Sequence, residues 1–249
     1  MAGHSHWAGI KHKKALIDNK RGKLWSKLSK QIIIAAQMGG GDPDANVRLR
    51  TAIADAKAVS MPKDNITRAI KRGTGELAGG TVEEVIYEGY GPHGVAVMCD
   101  IMTDNRNRTA PELRKVFEVN GGKLGATNCV AYMFDRKGLF VLPQSAIEEE
   151  QLMEIALEAG AEDVKQGTET FEITCDPEHY SQVSEVLAQA ELEITSQQLT
   201  RIPTNTVDLD ATQATQVLKL LEALDDHDDV QNVSANLNLT DEVVASLED

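Results

Sequence analysis

The sequence predicts an α+β protein in three parts: a small N-terminal helical domain over residues 1–75, a discontinuous α/β domain over 76–137 and 204–249, and a ferredoxin-like α/β domain over 138–203 inserted into it. Three observations lead there. In the first third, apolar residues recur at three- and four-residue spacing; from residue 81 onward, short β-rich runs alternate with helical stretches; and from residue 139 the order reads β-α-β-β-α-β. A chain of 249 residues exceeds the usual size of one compact domain, and 41% hydrophobic with 26% charged residues is ordinary globular usage.

The first helix is predicted over 21–38, where Leu24, Leu28, Ile32 and Ala35 form an apolar face and Lys20, Lys23, Lys27 and Lys30 an adjacent stripe. Gly39, Gly40 and Gly41 end it, because glycine accepts the left-handed conformation that follows a helix. Asp42 and Pro43 predict the next start, with Val47, Ile53 and Ala56 as its buried face behind Arg48 and Arg50. A third helix begins near Pro62, with Ile66, Ala69 and Ile70 inward, Lys71 and Arg72 in its last turn and Gly73 just past its end. A hairpin follows, over 82–90 and 94–102, joined through Gly91, Pro92 and His93, and then a helix over 109–119.

Strands are predicted over 129–134 and 139–142, a helix over 148–159, strands over 163–165 and 171–175, a helix over 177–190 and a strand over 193–199. The final set, a strand over 206–209, a helix over 212–224 and a strand over 230–237, lacks a complete sheet of its own. It is expected to finish the sheet begun at residue 82.

Charge is sorted along the chain. The total is −14, yet residues 1–75 hold 15 Lys and Arg against 5 Asp and Glu, whereas residues 138–249 hold 3 against 25. A concentrated positive field at one end is the footprint of a polyanion partner. Lys23, Lys27 and Lys30 lie in a helix interior without acidic residues four positions away, so an external anion is expected to relieve their repulsion. Lys11, Lys13 and Lys14 read as an arm that orders on phosphate, and Lys20, Arg21, Arg48, Arg50, Lys71 and Arg72 as further phosphate contacts. Lys71 and Arg72 also have a purely local explanation, since cations favour a helix C-terminus.

Arg106 and Arg108 sit in the run 104–109, where Asp or Asn can cap the following helix but does not account for the two arginines; guanidinium forks at a helix start suit phosphate. Trp25 borders an apolar stripe and is expected in packing, while Trp7 is left available to stack on a base. The Asp225–Asp229 run lacks the alternating spacing of a calcium loop and reads as a solvated acidic turn at a helix end.

The Ala2–Trp7 opening, the Gly39–Pro43 turn, the Met61–Asn65 start, the Tyr87–Pro92 run and the Thr103–Thr109 run, in that order, make the chain resemble the YebC/PmpR family over nearly its whole length. The resemblance implies a helical N-terminal domain and two α/β domains, the third inserted in the second. It implies a DNA-binding transcriptional regulator; mitochondrial relatives are described as translational activators of a cytochrome oxidase subunit, and some bacterial members as ribosome-associated factors that relieve stalled synthesis. The family commonly has Lys where this chain has His6, which carries no charge when neutral and so is not counted as a phosphate contact.

No nucleophile elbow, Walker loop, metalloprotease helix or dinucleotide fingerprint is present, so no enzyme is expected, and no cofactor. His4, His6 and His12 lack a nearby Cys or carboxylate pair at ligand spacing, so no metal site is expected. Cys99, Cys129 and Cys175 are too separated for a disulfide framework and fit a reducing compartment, and no apolar run reaches signal-peptide or membrane-span length. The expectation is a cytoplasmic binding protein whose partner is duplex DNA or, alternatively, structured ribosomal or transfer RNA and the ribosome itself. Four per cent aromatic residues leave little for base stacking, so backbone and shape recognition remain.

Overall fold

The computed structural model describes residues 21–167, 169–240 and 243, the side chain of Arg21 excepted. These divide into two compact units: residues 21–129 with 216–233, and residues 130–215 with 234–240 and 243. The predicted mixture of an N-terminal helical region followed by α/β sheets is what the chain forms.

In the first unit, α1 (Arg21–Gly39), α2 (Val47–Ala58) and α3 (Lys63–Gly73) bury their apolar faces together. Leu28, Ile32, Ala35, Leu49, Ala52, Ala56, Ile66 and Ala69 are buried there, and Val82 and Met102 join the same cluster. Burying the Leu, Ile, Val and Met side chains among them contributes roughly 1.5–3 kcal/mol each, and each alanine methyl about 0.8, which holds the three short helices together. Trp25 is partly buried against this cluster and donates its indole N–H to the Val59 carbonyl at 3.3 Å, a packing role.

The second helix does not start at Asp42 and Pro43. The Asp42 carboxylate instead accepts the Asp44 N–H at 3.0 Å in a local turn, and the helix is capped by Asn46, whose side chain accepts the Leu49 N–H at 3.0 Å. Asn46 also donates to the carbonyls of Ala35 and Gly40, at 2.8 and 2.9 Å. A buried amide that satisfies three backbone groups is a stronger cap than an exposed aspartate.

Strands β1 (Glu83–Tyr90) and β2 (Ala96–Thr103) pair antiparallel as the predicted hairpin. Helix α4 spans Arg106–Val119 and begins three residues earlier than expected, because Asn105 caps it by accepting the Arg108 N–H. A two-residue strand β3 (Lys123–Leu124), unforeseen from sequence, pairs with the end of β1.

The second unit opens with β4 (Phe134–Pro143), one ten-residue strand where two short ones were expected; the stretch before it, Ala131–Met133, is a single 3-10 turn. It continues through α5 (Glu149–Glu158), β5 (Ala161–Gln166), β6 (Thr170–Cys175), α6 (Tyr180–Gln189) and β7 (Ser196–Pro203). The sheet order β5-β6-β4-β7 is antiparallel throughout, which is the predicted ferredoxin-like arrangement. Phe140, Leu142, Leu152, Phe171, Ile173, Val183 and Leu187 form its core, with Phe140 and Tyr180 stacked at 4.9 Å between ring centroids.

The chain then forms β8 (Val207–Asp208), α7 (Ala211–Asp225), β9 (Val230–Ala235) and β10 (Leu237–Asn238). Strand β9 lies beside β2, giving the order β3-β1-β2-β9, so of the final set only β9 joins the sheet begun by the hairpin; β8, expected there too, pairs parallel with β10 in a separate two-stranded sheet.

Candidate nucleic-acid interface

The lysine stripe of α1 is where structure and sequence reading part most sharply. Lys23 donates to the Asp226 carbonyl at 3.0 Å, Lys27 to the Asp225 carbonyl at 2.6 Å and its carboxylate at 3.3 Å, and Lys30 to the Asp228 carbonyl at 2.8 Å and the Asp229 carboxylate. The anion expected from outside is supplied by the chain itself. Carbonyls at the end of α7 carry the partial negative charge of a helix C-terminus; the Lys27 and Lys23 ammonium groups cap those of Asp225 and Asp226, and Lys30 holds the turn that follows. The Asp225–Asp229 run is correspondingly not a merely solvated turn.

Asp229 is the centre of this clasp. Its side chain is 2% exposed and accepts from Lys30, from Arg108 Nη2 at 2.9 Å, from Thr109 Oγ1 at 2.6 Å and from Thr103 Oγ1 at 3.2 Å. Burial alone would raise its carboxyl, but the hydrogen bonds from Lys30, Thr109 and Arg108 outweigh that and hold it far below the ordinary carboxylate range. Its backbone takes part as well, the carbonyl accepting the Met102 N–H at 2.9 Å.

The other predicted arginines are also engaged within the chain. Arg108 reaches Asp104 at 3.3 Å as well as Asp229, Arg106 pairs with Glu83, Arg48 with Glu84, and Arg72 with Asp104 at 3.2 Å. The pairs of Arg106 and Arg48 are exposed and worth little, so a phosphate can displace those carboxylates at small cost. Arg108 is different, because its partner is buried. Arg50 donates to the carbonyls of Pro43 and Asp44 and has no carboxylate partner among the described residues. Lys71 is exposed and unpaired among them. Lys11, Lys13, Lys14 and Lys20, the side chain of Arg21, the histidines 4, 6 and 12, and Trp7 lie outside the described residues.

The structure draws attention to cations that the sequence reading passed over. Lys57 on α2 and Lys63 and Arg68 on α3 are exposed, with no carboxylate or carbonyl partner among the described residues. A signal for them was present. Placing Ile66, Ala69 and Ile70 inward puts Arg68 and Lys71 on the outer side of the same helix, while Lys63 is exposed at its first residue.

A family model described as the TACO1/YebC protein N-terminal domain matches residues 5–76, and one described as the TACO1/YebC second and third domain matches residues 82–237. A probable transcriptional regulatory protein of Rhodopirellula baltica is 58% identical over 246 residues, covering 98% of this chain and 100% of the relative. One of the same description from Natranaerobius thermophilus is 55% identical over 247 residues, covering 98% and 99%. The crystal structure of a conserved hypothetical protein from Aquifex aeolicus superposes with a TM-score of 0.86 at 52% identity, over 96% of this chain and 99% of that one. Among the described residues, no helix is long and apolar enough to cross a membrane.

Proposed function

The chain belongs to the TACO1/YebC family, and from that premise we propose that it is a cytoplasmic, non-enzymatic regulator that grips the phosphate backbone of duplex DNA with its basic helical N-terminal region. The observation that carries this reading is what remains after internal pairing is subtracted. Arg50, Lys57, Lys63, Arg68 and Lys71 project from α2 and α3 without a carboxylate partner among the described residues, while the cations of α1 and α4 that reach Asp229 are engaged by it. Unneutralised cations concentrated on one helical region bind polyanions chiefly by releasing condensed counterions. The basic residues Lys11, Lys13, Lys14 and Lys20 add to the same region in sequence.

The test is a competition at one physiological salt concentration between duplex DNA, a structured RNA and intact ribosomes. Preferential binding of duplex DNA, weakening linearly in log salt, is the expected result. Tighter binding to ribosomes or to the RNA would overturn the choice of DNA, and binding to none of the three would overturn the reading as a whole.

A further inference from the structure

We propose that the outer face of α3, with Lys63, Thr67 and Lys71 in a row and Arg68 beside them, is the track on which a nucleic-acid phosphodiester backbone sits. This rests on the nucleic-acid reading above and says which helix makes the contact. Lys63, Thr67 and Lys71 are four residues apart, so successive side chains lie about 6 Å apart along the helix axis, in a row inclined about 26° to it. That spacing suits the repeat of phosphates along one strand. The ends of the row carry ammonium groups, its middle carries a hydroxyl donor, and Arg68 adds a fork at its flank.

Two features separate this face from an ordinary solvated one. The first is that four donors without a side-chain partner among the described residues, Lys63, Thr67, Arg68 and Lys71, lie on one short helix, whereas Lys27, Lys30, Arg48, Arg72, Arg106 and Arg108 in the same unit each meet a carboxylate. Asp64, four residues before Arg68, and Asp104, paired with Arg72, lie beside the row, but Lys63, Arg68 and Lys71 form no ion pair with a carboxylate among the described residues. The second is that the helix is held rigidly from behind. Ile66 and Ala69 are buried against α1, and Gly73 lies so close to it that a Cβ there would stand 2.5 Å from the Ile33 carbonyl oxygen and 2.6 Å from the Ala36 Cβ. The charged face is thus presented in one orientation, which lowers the entropic cost of docking.

The experiment compares the full chain with the triple variant Lys63→Gln, Arg68→Gln, Lys71→Gln and with a control, Arg114→Gln with Lys115→Gln, which neutralises exposed cations on α4. Circular dichroism and thermal melting confirm that each folds. Affinity is measured against salt for a duplex DNA and for a structured RNA hairpin. For duplex DNA the triple variant is expected to lower the slope of log K against log salt by about 2.7, at ~0.9 per phosphate contact, with the control unchanged. If the RNA hairpin is the preferred ligand, a comparable loss there supports the track and assigns it to RNA. If the full chain binds either ligand and the triple variant keeps its slope, or the control loses as much, the assignment to α3 is overturned while the function reading stands. If the full chain binds neither, the function reading falls and the track with it.

Discussion

Asp229 shows how much one residue can organise. Its carboxylate is buried beneath two cations and two hydroxyls that come from α1, the end of β2 and the first turn of α4. Replacing it by Asn keeps the shape and removes the charge, leaving Lys30 and Arg108 facing a neutral amide. Breaking a buried pair by removing one partner costs 3–5 kcal/mol, and since Arg108 is half exposed the expected loss is about 3 kcal/mol in urea unfolding. The contribution depends on pH in a definite direction. The folded carboxyl titrates below its unfolded value of about 4, so its stabilisation is fully present above that pH and is lost as the solution is acidified toward the folded value. The gap between the wild type and D229N should therefore be largest near neutral pH and shrink in acid; a gap that stays constant on acidification would show that the charge is not what matters. Residue-level reading from sequence could not reach this point, because nothing local distinguishes Asp229 from the three other aspartates of its run, and its partners are more than a hundred positions away.

At the scale of elements, apolar periodicity together with turn residues places the three N-terminal helices, the hairpin and the βαββαβ unit, although the second helix buries Leu49 and Ala52 with Ala56 and leaves Val47, expected inside, exposed. What it misjudged were junctions. The start of α2 is decided by the buried amide of Asn46 rather than by the Asp-Pro pair, and β4 runs unbroken because its pairing with β7 extends back to Phe134. The close crossing of α1 and α3 was equally invisible, although Gly73 marked it. A methyl group at position 73 would press on the Ile33 carbonyl and the Ala36 side chain, both parts of a packed helix that cannot easily retreat. Gly73→Ala is expected to destabilise the protein by about 1–3 kcal/mol, as overpacking does, and Gly73→Val by more. Because alanine favours a helix over glycine by close to 1 kcal/mol, a stabilised Gly73→Ala variant in thermal melting would mean that the helices separate readily at that point.

For the whole molecule, the sequence made the charge asymmetry plain but not its accounting. Lys27 meets Asp225 across 198 positions, so a local count of lysines overstated what α1 offers a phosphate and left out Lys63 and Arg68 of α3. The same reasoning bears on the acidic side of the ledger. Residues 138–249 carry 25 Asp and Glu against 3 Lys and Arg, and on α5 Glu150, Glu154 and Glu158 are exposed at successive helical turns. Such a field repels nucleic acid at a distance without touching it, and its reach is set by salt: the screening length is about 30 Å at 0.01 M and about 8 Å at 0.15 M. Neutralising the three with Gln should therefore speed association with duplex DNA at 0.01 M, measured by stopped flow, and leave the rate at 0.15 M almost unchanged. The direction follows from long-range steering, which acts on encounter rather than on the bound complex. Equal rates for the variant and the wild type at low salt would instead mean that the acidic residues serve solubility alone, and the basic helices would then have to select their target with no help from the rest of the chain.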